Sequence, residues 1–155
     1  MNSLIQTSLS FRTFLAQNLE KVDEKQLDIV APKFKNTIRW QLAHLVVTPT
    51  LLTYKKVGSN SPLLSDEFLK STCKGTSHEN FSLNEDYSTR HLLEFLVETT
   101  KQLERDYKDL KKMNYQAYET STGFMIKDLD TALAYSNIHD GIHIGNIRAV
   151  LTVLG

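Results

Sequence analysis

The stretch from Ser88 to Leu110 most constrains the fold, because its apolar positions recur at alternating steps of four and three residues. The recurring positions are Leu92, Leu96, Thr99, Leu103, Tyr107 and Leu110. Positions spaced in this way form one narrow stripe on an α-helix, while the other faces carry charged residues. Such a seam is typical of bundle helices, so the sequence predicts a helix that is capped by Ser88 or Thr89 and packs against other helices.

Three further segments repeat this helical spacing of apolar residues. They span residues 3–21, 37–54 and 128–155. In the second segment Pro49 removes one backbone amide and clashes with the carbonyl of Leu45, which predicts a kink at this point. We expect a kink and not an end, because the apolar spacing continues to Tyr54. Asn36 or Thr37 has the side chain of a helix N-cap and is expected to begin this helix.

The segments between these helices are polar or irregular in pattern. Residues 59–87 are rich in serine, asparagine and glycine, with one short helix predicted over residues 65–72. One helical turn is expected at residues 24–29, and residues 113–127 are expected to be irregular. We therefore predict an all-α fold, a four-helix bundle with long crossover connections, in which residues 1–155 form a single domain.

Charge and composition exclude several classes of partner. Eighteen basic residues balance eighteen acidic ones, so no net charge attracts the chain to nucleic acid or to an anionic membrane. No apolar run approaches the roughly 18 residues that a membrane span needs. Cys73 is the single cysteine and cannot form an internal disulfide, and the first residues lack the basic start and apolar core of a secretory signal. We therefore expect a cytoplasmic protein that binds neither nucleic acid nor a membrane.

Two histidines near the C-terminus, His139 and His143, have the spacing of metal ligands. Side chains four residues apart on a helix project side by side from one face. His44 lies in the second predicted helix and would have to point inward, so three imidazoles could converge. Three protein ligands leave at least one coordination position open, which is the arrangement of catalytic sites. A bound cation would lower the pKa of water to about 7, and imidazole ligands suit zinc, nickel, copper or iron.

Other interpretations of this stretch stay open. Residues 139–143 match the zinc-protease pattern H-E-x-x-H with aspartate in place of glutamate. The shorter acid, the glycine within the helix and the few residues that follow argue against that pattern, and we expect Asp140 to be solvated. Gly141 and Gly145 each cost the helix about 1 kcal/mol relative to alanine, which favours close approach of a neighbouring element. Each histidine can also be an ordinary core or surface residue.

Several hydroxyl side chains are candidates for lining a pocket around the histidines. Thr48 follows His44 by one helical turn, and Tyr135 and Ser136 precede His139 by about one. They could donate to an oxyanion, but ordinary pocket lining is the simpler interpretation. Three other reactive side chains are expected to be exposed or incidental: His78, His91 and Cys73.

The helix-two run N-T-I-R-W-Q-L-A-H-L over residues 36–45 and the run H-D-G-I-H-I-G-N-I over residues 139–147 are a distinctive pair of motifs. Together they resemble the W-x-x-x-H and H-x-x-x-H-x-G-Q-I patterns of the DinB/YfiT-like superfamily of metal-binding four-helix bundles. The resemblance implies that His44, His139 and His143 bind one divalent ion, usually zinc or nickel, and that Trp40 packs one turn before the first ligand. The chain departs from the family pattern at two positions, Asn146 for glutamine and Ala43 for glycine.

The resemblance also implies a range of activities. Members of the family include metal-dependent hydrolases, transferases that join a low-molecular-weight thiol to an electrophile, and thiol-dependent isomerases, and related bundles often pair as homodimers. Three hypotheses follow for this chain. It is a metal-dependent hydrolase or thiol transferase, a metal-binding sensor or stress protein without turnover, or a metal-free structural bundle. The first is preferred, mainly on the resemblance.

Overall fold

Each of the four predicted helices forms, and each begins beside a side chain that accepts a hydrogen bond from its first turn. The computed structural model describes residues 2–81 and 87–155. The long helices are α1 (Ser3–Leu19), α2 (Ile38–Thr53), α4 (Thr89–Leu110) and α5 (Leu129–Leu154), and the short helix α3 is Asp66–Ser71. Their N-caps, in chain order for the long helices, are Asn2, Thr37, Ser88 and Asp128. Capping of this kind satisfies amides that have no partner within the helix.

Short elements complete the chain. Turns of 3₁₀-helix lie at Glu24–Asp28, Lys55–Val57 and His78–Asn80. Strands β1 (Tyr118–Glu119) and β2 (Met125–Ile126) pair antiparallel, with Tyr118 opposite Ile126. This hairpin corrects the prediction that residues 113–127 are irregular throughout. Two-residue strands are too short to show the alternation by which a strand is recognised in a sequence.

The four long helices form a bundle in which α2 contacts α4 and α5, and α1 also contacts α4 and α5. The start of α2 meets the start of α4, where Arg39 donates to the hydroxyl of Thr89, and the end of α2 meets the second half of α4, where Tyr54 donates to Asp106. These neighbours are therefore parallel, and parallel neighbours require the long connection that the sequence predicts between them. The predicted all-α bundle with a long crossover is confirmed; residues 82–86 of that crossover lie outside the described residues.

The core is drawn from all four long helices. Its main cluster includes Leu15 of α1, Leu45 of α2, Leu96 of α4 and Ile147 of α5, all buried. No helix in the described part of the chain is long and apolar enough to cross a membrane. The apolar stripe of α4, from which the bundle was predicted, faces this core at Leu92, Leu96 and Leu103.

Helix α2 continues through Pro49, as its apolar spacing predicts. Proline has no amide hydrogen, so the carbonyl of Leu45 loses its usual partner within the helix. The guanidinium of Arg12, on α1, donates to this carbonyl at 2.5 Å. A side chain from a neighbouring helix therefore satisfies the acceptor that the proline leaves free, one residue from His44.

Two helical predictions need correction. The first helix ends at Leu19 and not at residue 21. The expectation that Gly141 and Gly145 permit close approach of another element is wrong, because a Cβ atom at either position would meet nothing within 4 Å. Both glycines face outward on α5, where the exposed apolar residues Ile138 and Ile142 are their neighbours.

Candidate metal centre

The structure brings together the three histidines that the sequence singles out. His44 projects from α2 and His139 and His143 project from the facing side of α5, where these two helices run antiparallel. The Nε2 atoms of His44 and His139 are 3.1 Å apart. One ring nitrogen from each of the three side chains lies within 4.8 Å of the others, so the group could hold a metal ion.

Two polar contacts fix which nitrogen of each ring faces the centre. Nδ1 of His44 donates to the backbone carbonyl of Thr72 at 2.5 Å, and Nδ1 of His143 donates to Oε1 of Gln41 at 3.2 Å. Because both partners are oxygens that only accept, the proton of each neutral ring must lie on Nδ1, and Nε2 keeps its lone pair. Such contacts orient ligand histidines in metal sites. Nδ1 of His139 is buried and has no partner among the described residues.

All three rings are held in the neutral form that binds metal. Burial lowers the pKa of His139 to about 3, and repulsion from His143 and His44 adds to the effect. Burial likewise lowers the pKa of His143 to about 4, with a contribution from His44, and burial lowers that of His44. A neutral imidazole offers its lone pair without first losing a proton, so the rings are ready to bind a cation at neutral pH.

One wall of the centre is aromatic. The ring of Trp40 stacks on that of His44 with centroids 4.8 Å apart and planes 14° apart, as the family resemblance implies. The hydroxyl of Thr48 lies 3.3 Å from Nε2 of His44. Tyr135 lies with its ring centroid 6.4 Å from that of His139. Thr48 and Tyr135 therefore border the histidine group, in agreement with the pocket-lining interpretation.

Asp140 is not solvated, which corrects the expectation from the sequence. Its carboxylate is 2% exposed and receives Nε of Arg12 at 2.7 Å and Nη2 at 3.1 Å. The same guanidinium reaches the hydroxyl of Thr100 on α4 and, as described above, the carbonyl of Leu45 on α2. Asp140 is therefore an ion-pair partner at the junction of four helices, and its carboxylate is not available as the base of a zinc-protease motif.

A cavity of about 520 Å³ opens beside the histidine group. Its walls combine His44 and His139 with hydroxyl, apolar and basic side chains. The lining residues are His44, Thr48, Leu51, Leu52, Lys55, Lys56, Cys73, Lys74, Tyr118, Thr120, Ser121, Tyr135 and His139. This volume falls within the range of pockets that hold small ligands, about 300–1,000 Å³.

Of the remaining candidates from the sequence, Cys73 lines the cavity, whereas His78, His91 and Ser136 do not. His91 is partly buried and stacks near Phe95 at 6.4 Å, and His78 donates from Nδ1 to the carbonyl of Lys35. Ser136 is buried, and its hydroxyl has no partner among the described residues. Cys73, treated as incidental from the sequence, lines the cavity, where its thiol donates to a backbone carbonyl at 3.3 Å.

Sequence reasoning missed the supports of the centre and the basic side of the cavity. Gln41 lies one turn before His44 on the same face of α2, and that spacing was a signal that could have been used. Thr72 contributes a backbone carbonyl, which no residue pattern reveals. Arg12 contacts Asp140 across 128 residues of sequence, and a separation of that size leaves no local trace.

The donor set fits a divalent transition metal ion. Zinc binds histidine nitrogens at about 2.0–2.1 Å, which places two ligands of a tetrahedral site about 3.3 Å apart. The 3.1 Å between the Nε2 atoms of His44 and His139 is close to that spacing. Neutral rings with outward-facing Nδ1 contacts at two of the three positions supply the ligand chemistry, and the three ligand nitrogens lie within 4.8 Å of one another.

Comparison with protein families matches the DinB superfamily over residues 11–147. This chain belongs to that superfamily. The match runs from α1 to near the end of α5 and contains all three histidines. A search of curated proteins finds no match. DinB membership and the grouped histidines are together compatible with a metal-binding protein.

Proposed function

We propose that this DinB protein is a metal-dependent enzyme that acts on small molecules, as a hydrolase or as a low-molecular-weight-thiol S-transferase. His44, His139 and His143 would hold one divalent ion. The family resemblance favours zinc or nickel, and imidazole ligands suit both. The observation that carries the proposal is the convergence of three partly buried, neutral rings beside a cavity of ligand size. Catalytic metal sites combine these two features, since a substrate must reach the ion.

The chain's own residues have distinct tasks in this proposal. When bound, the ion supplies Lewis acidity and lowers the pKa of a coordinated water or thiol. The carbonyl of Thr72 and the amide of Gln41 hold two rings in the ligand tautomer. Trp40 covers one face of His44 and keeps water from that side. The hydroxyl of Thr48, beside His44, is placed to donate to an oxygen or sulfur of the substrate.

Turnover before and after metal removal tests the proposal. Protein loaded with zinc or with nickel is assayed against a panel of esters and amides and against thiols paired with electrophiles. We expect turnover with at least one class, its loss on chelation and its return when the metal is restored. The double variant His139→Ala, His143→Ala should be inactive. Tight metal binding without turnover on any panel would instead favour a sensor or stress protein, and absence of metal binding would favour a structural bundle.

We further propose that the protein is a homodimer that pairs through α5 and α1. Exposed apolar side chains lie on both helices, which pack against each other: Ile142 is 59% exposed, Val153 56% and Phe11 56%. A second copy would remove these surfaces from water. Ile142→Glu should convert a dimer, measured by light scattering, into a monomer.

We also propose that residues 1–155 act as one domain and that the protein is cytoplasmic, where the free thiol of Cys73 would stay reduced.

A further inference from the structure

The ionic side chains that line the cavity beside the histidines all carry the same sign. They are Lys55, Lys56 and Lys74, and no aspartate or glutamate lines this cavity among the described residues. The chain as a whole has 18 basic and 18 acidic residues, so this is a local separation of charge and not a property of the whole surface. A cleft lined by one sign of charge concentrates ligands of the opposite sign.

Two of the three ammonium groups are free to bind a ligand. Lys55 is already bound to Asp66 at 2.7 Å and to Asn60 at 2.6 Å. In the described part of the chain, no carboxylate lies within ion-pair distance of Lys56 or Lys74. An ammonium group is a strong donor with three hydrogens and no acceptor, so an anion is its natural partner.

Lys56 is also held in position. Its Nζ lies 4.4 Å from the centroid of the Tyr118 ring, and its carbonyl accepts the amide of Gln116 at 2.7 Å. Tyr115, in the same segment, donates to the carbonyl of Leu52 at 2.8 Å. The hairpin segment is thereby tied to the end of α2, and Lys56 lines the same cavity as His44 and His139. Preorganised charges lose less on binding than mobile ones.

We propose that the cavity takes an anionic small molecule, a carboxylate whose charge is recognised by Lys56 and Lys74 while its reactive part lies near His44 and His139. This inference rests on the proposed function, because it assigns a substrate class to the same site. Thr120 and Ser121, which carry hydroxyl groups, also line the cavity. A neutral molecule of the same shape would lack the charge attraction to the two ammonium groups and should bind more weakly.

Binding of succinate and of its neutral analogue succinamide, measured by calorimetry and by NMR titration, tests the proposal. The measurement is made on zinc-loaded protein and again on protein treated with a chelator. We expect succinate to bind at least tenfold more tightly than succinamide in both forms. The variants Lys56→Glu and Lys74→Glu should each weaken succinate binding at least fivefold and leave the zinc content unchanged. Lys108→Glu, an exposed change of equal charge on α4, should have no effect.

Equal binding of succinate and succinamide would overturn the proposal. A loss of succinate binding in Lys108→Glu as large as that in the cavity variants would also overturn it, because the net charge of the protein, and not the cavity, would then determine binding. Succinate selectivity that appears with zinc but does not respond to Lys56→Glu or Lys74→Glu would also overturn it, since the ion alone would bind the probe. A protein that binds no zinc refutes the proposed function, but the measurement on chelator-treated protein still decides the anion preference. The two failures are therefore distinguishable.

Discussion

Gln41 acts on His143 through a single hydrogen bond, and this contact decides which nitrogen of the ring faces the centre. The amide oxygen of Gln41 accepts from Nδ1 at 3.2 Å, and the side chain is buried on α2. Losing such a contact leaves the ring free to rotate or to change tautomer. Trp40 constrains His44 in a different way, by stacking on its face.

Replacing Gln41 should therefore weaken metal binding without removing a ligand. We expect Gln41→Leu to lower zinc affinity about 10- to 100-fold, as replacements of such supporting groups do in other sites. Gln41→Glu keeps an acceptor oxygen and should retain the affinity. Competition with a chelator of known affinity measures the change. Asn146→Leu, at an exposed position of α5, is the control; an equal loss in that variant would contradict the role of Gln41.

The buried pair of Arg12 and Asp140 gives a second prediction at this scale. Asp140→Ala should lower the free energy of unfolding by about 3–5 kcal/mol, because it leaves a buried guanidinium without its counter-charge. The double variant Arg12→Met, Asp140→Leu should lose much less than the sum of the single variants. Chemical denaturation measures both. If the double variant lost as much stability as the two single variants together, the two side chains would not depend on each other.

Among the elements, α5 contributes two of the three histidines of the candidate site and also contains two glycines that lower its stability as a helix. It contributes His139, His143 and Asp140 from its inner face, while Gly141 and Gly145 lie on the outer face with open space around them. The existence of all four long helices could be predicted, because each has a long apolar period and a capping residue. The orientation of Asp140 could not, because its partner lies on another helix. The β-hairpin could not be predicted either, because two-residue strands are too short to show an alternation of apolar and polar residues.

The glycines of α5 should be replaceable with a gain in stability. Gly141→Ala and Gly145→Ala should each raise the free energy of unfolding by about 0.5–1 kcal/mol, because alanine costs less backbone entropy in a helix and meets no atom there. Gly123→Ala is the matched control and should lower it, since Gly123 has φ +79°. Urea denaturation measures the three changes. A loss at position 141 or 145 would indicate a contact, such as the proposed dimer, that needs the glycine.

For the whole molecule, the metal centre links stability to pH. The folded protein holds His139 and His143 neutral, with pKa values of about 3 and about 4, whereas an unfolded chain takes up their protons near pH 6.5. Below that pH the unfolded state binds more protons, so its free energy falls relative to the native state. The contribution of these two histidines to the stability of the metal-free protein is therefore fully present above pH 6.5 and is lost as the pH falls toward 4.

This decline can be measured between pH 6.5 and 5, where carboxylates of ordinary pKa stay mostly ionised. We expect the metal-free protein to lose stability steadily across this window. The variant His139→Ala, His143→Ala lacks two of the groups that take up protons on unfolding and should show a flatter profile. Thermal unfolding at each pH measures both slopes. Identical slopes in the two proteins would contradict the assignment of buried, neutral histidines.

Metal content per chain tests the central claim most directly. Purified protein reconstituted with zinc or nickel is dialysed and measured by elemental analysis, beside His44→Ala, the double variant His139→Ala, His143→Ala and the control His91→Gln. The account predicts one ion per chain in the wild type and in the control, and none in the variants that lack ligands. A wild type that retains no ion, or variants that retain as much as the wild type, would contradict it.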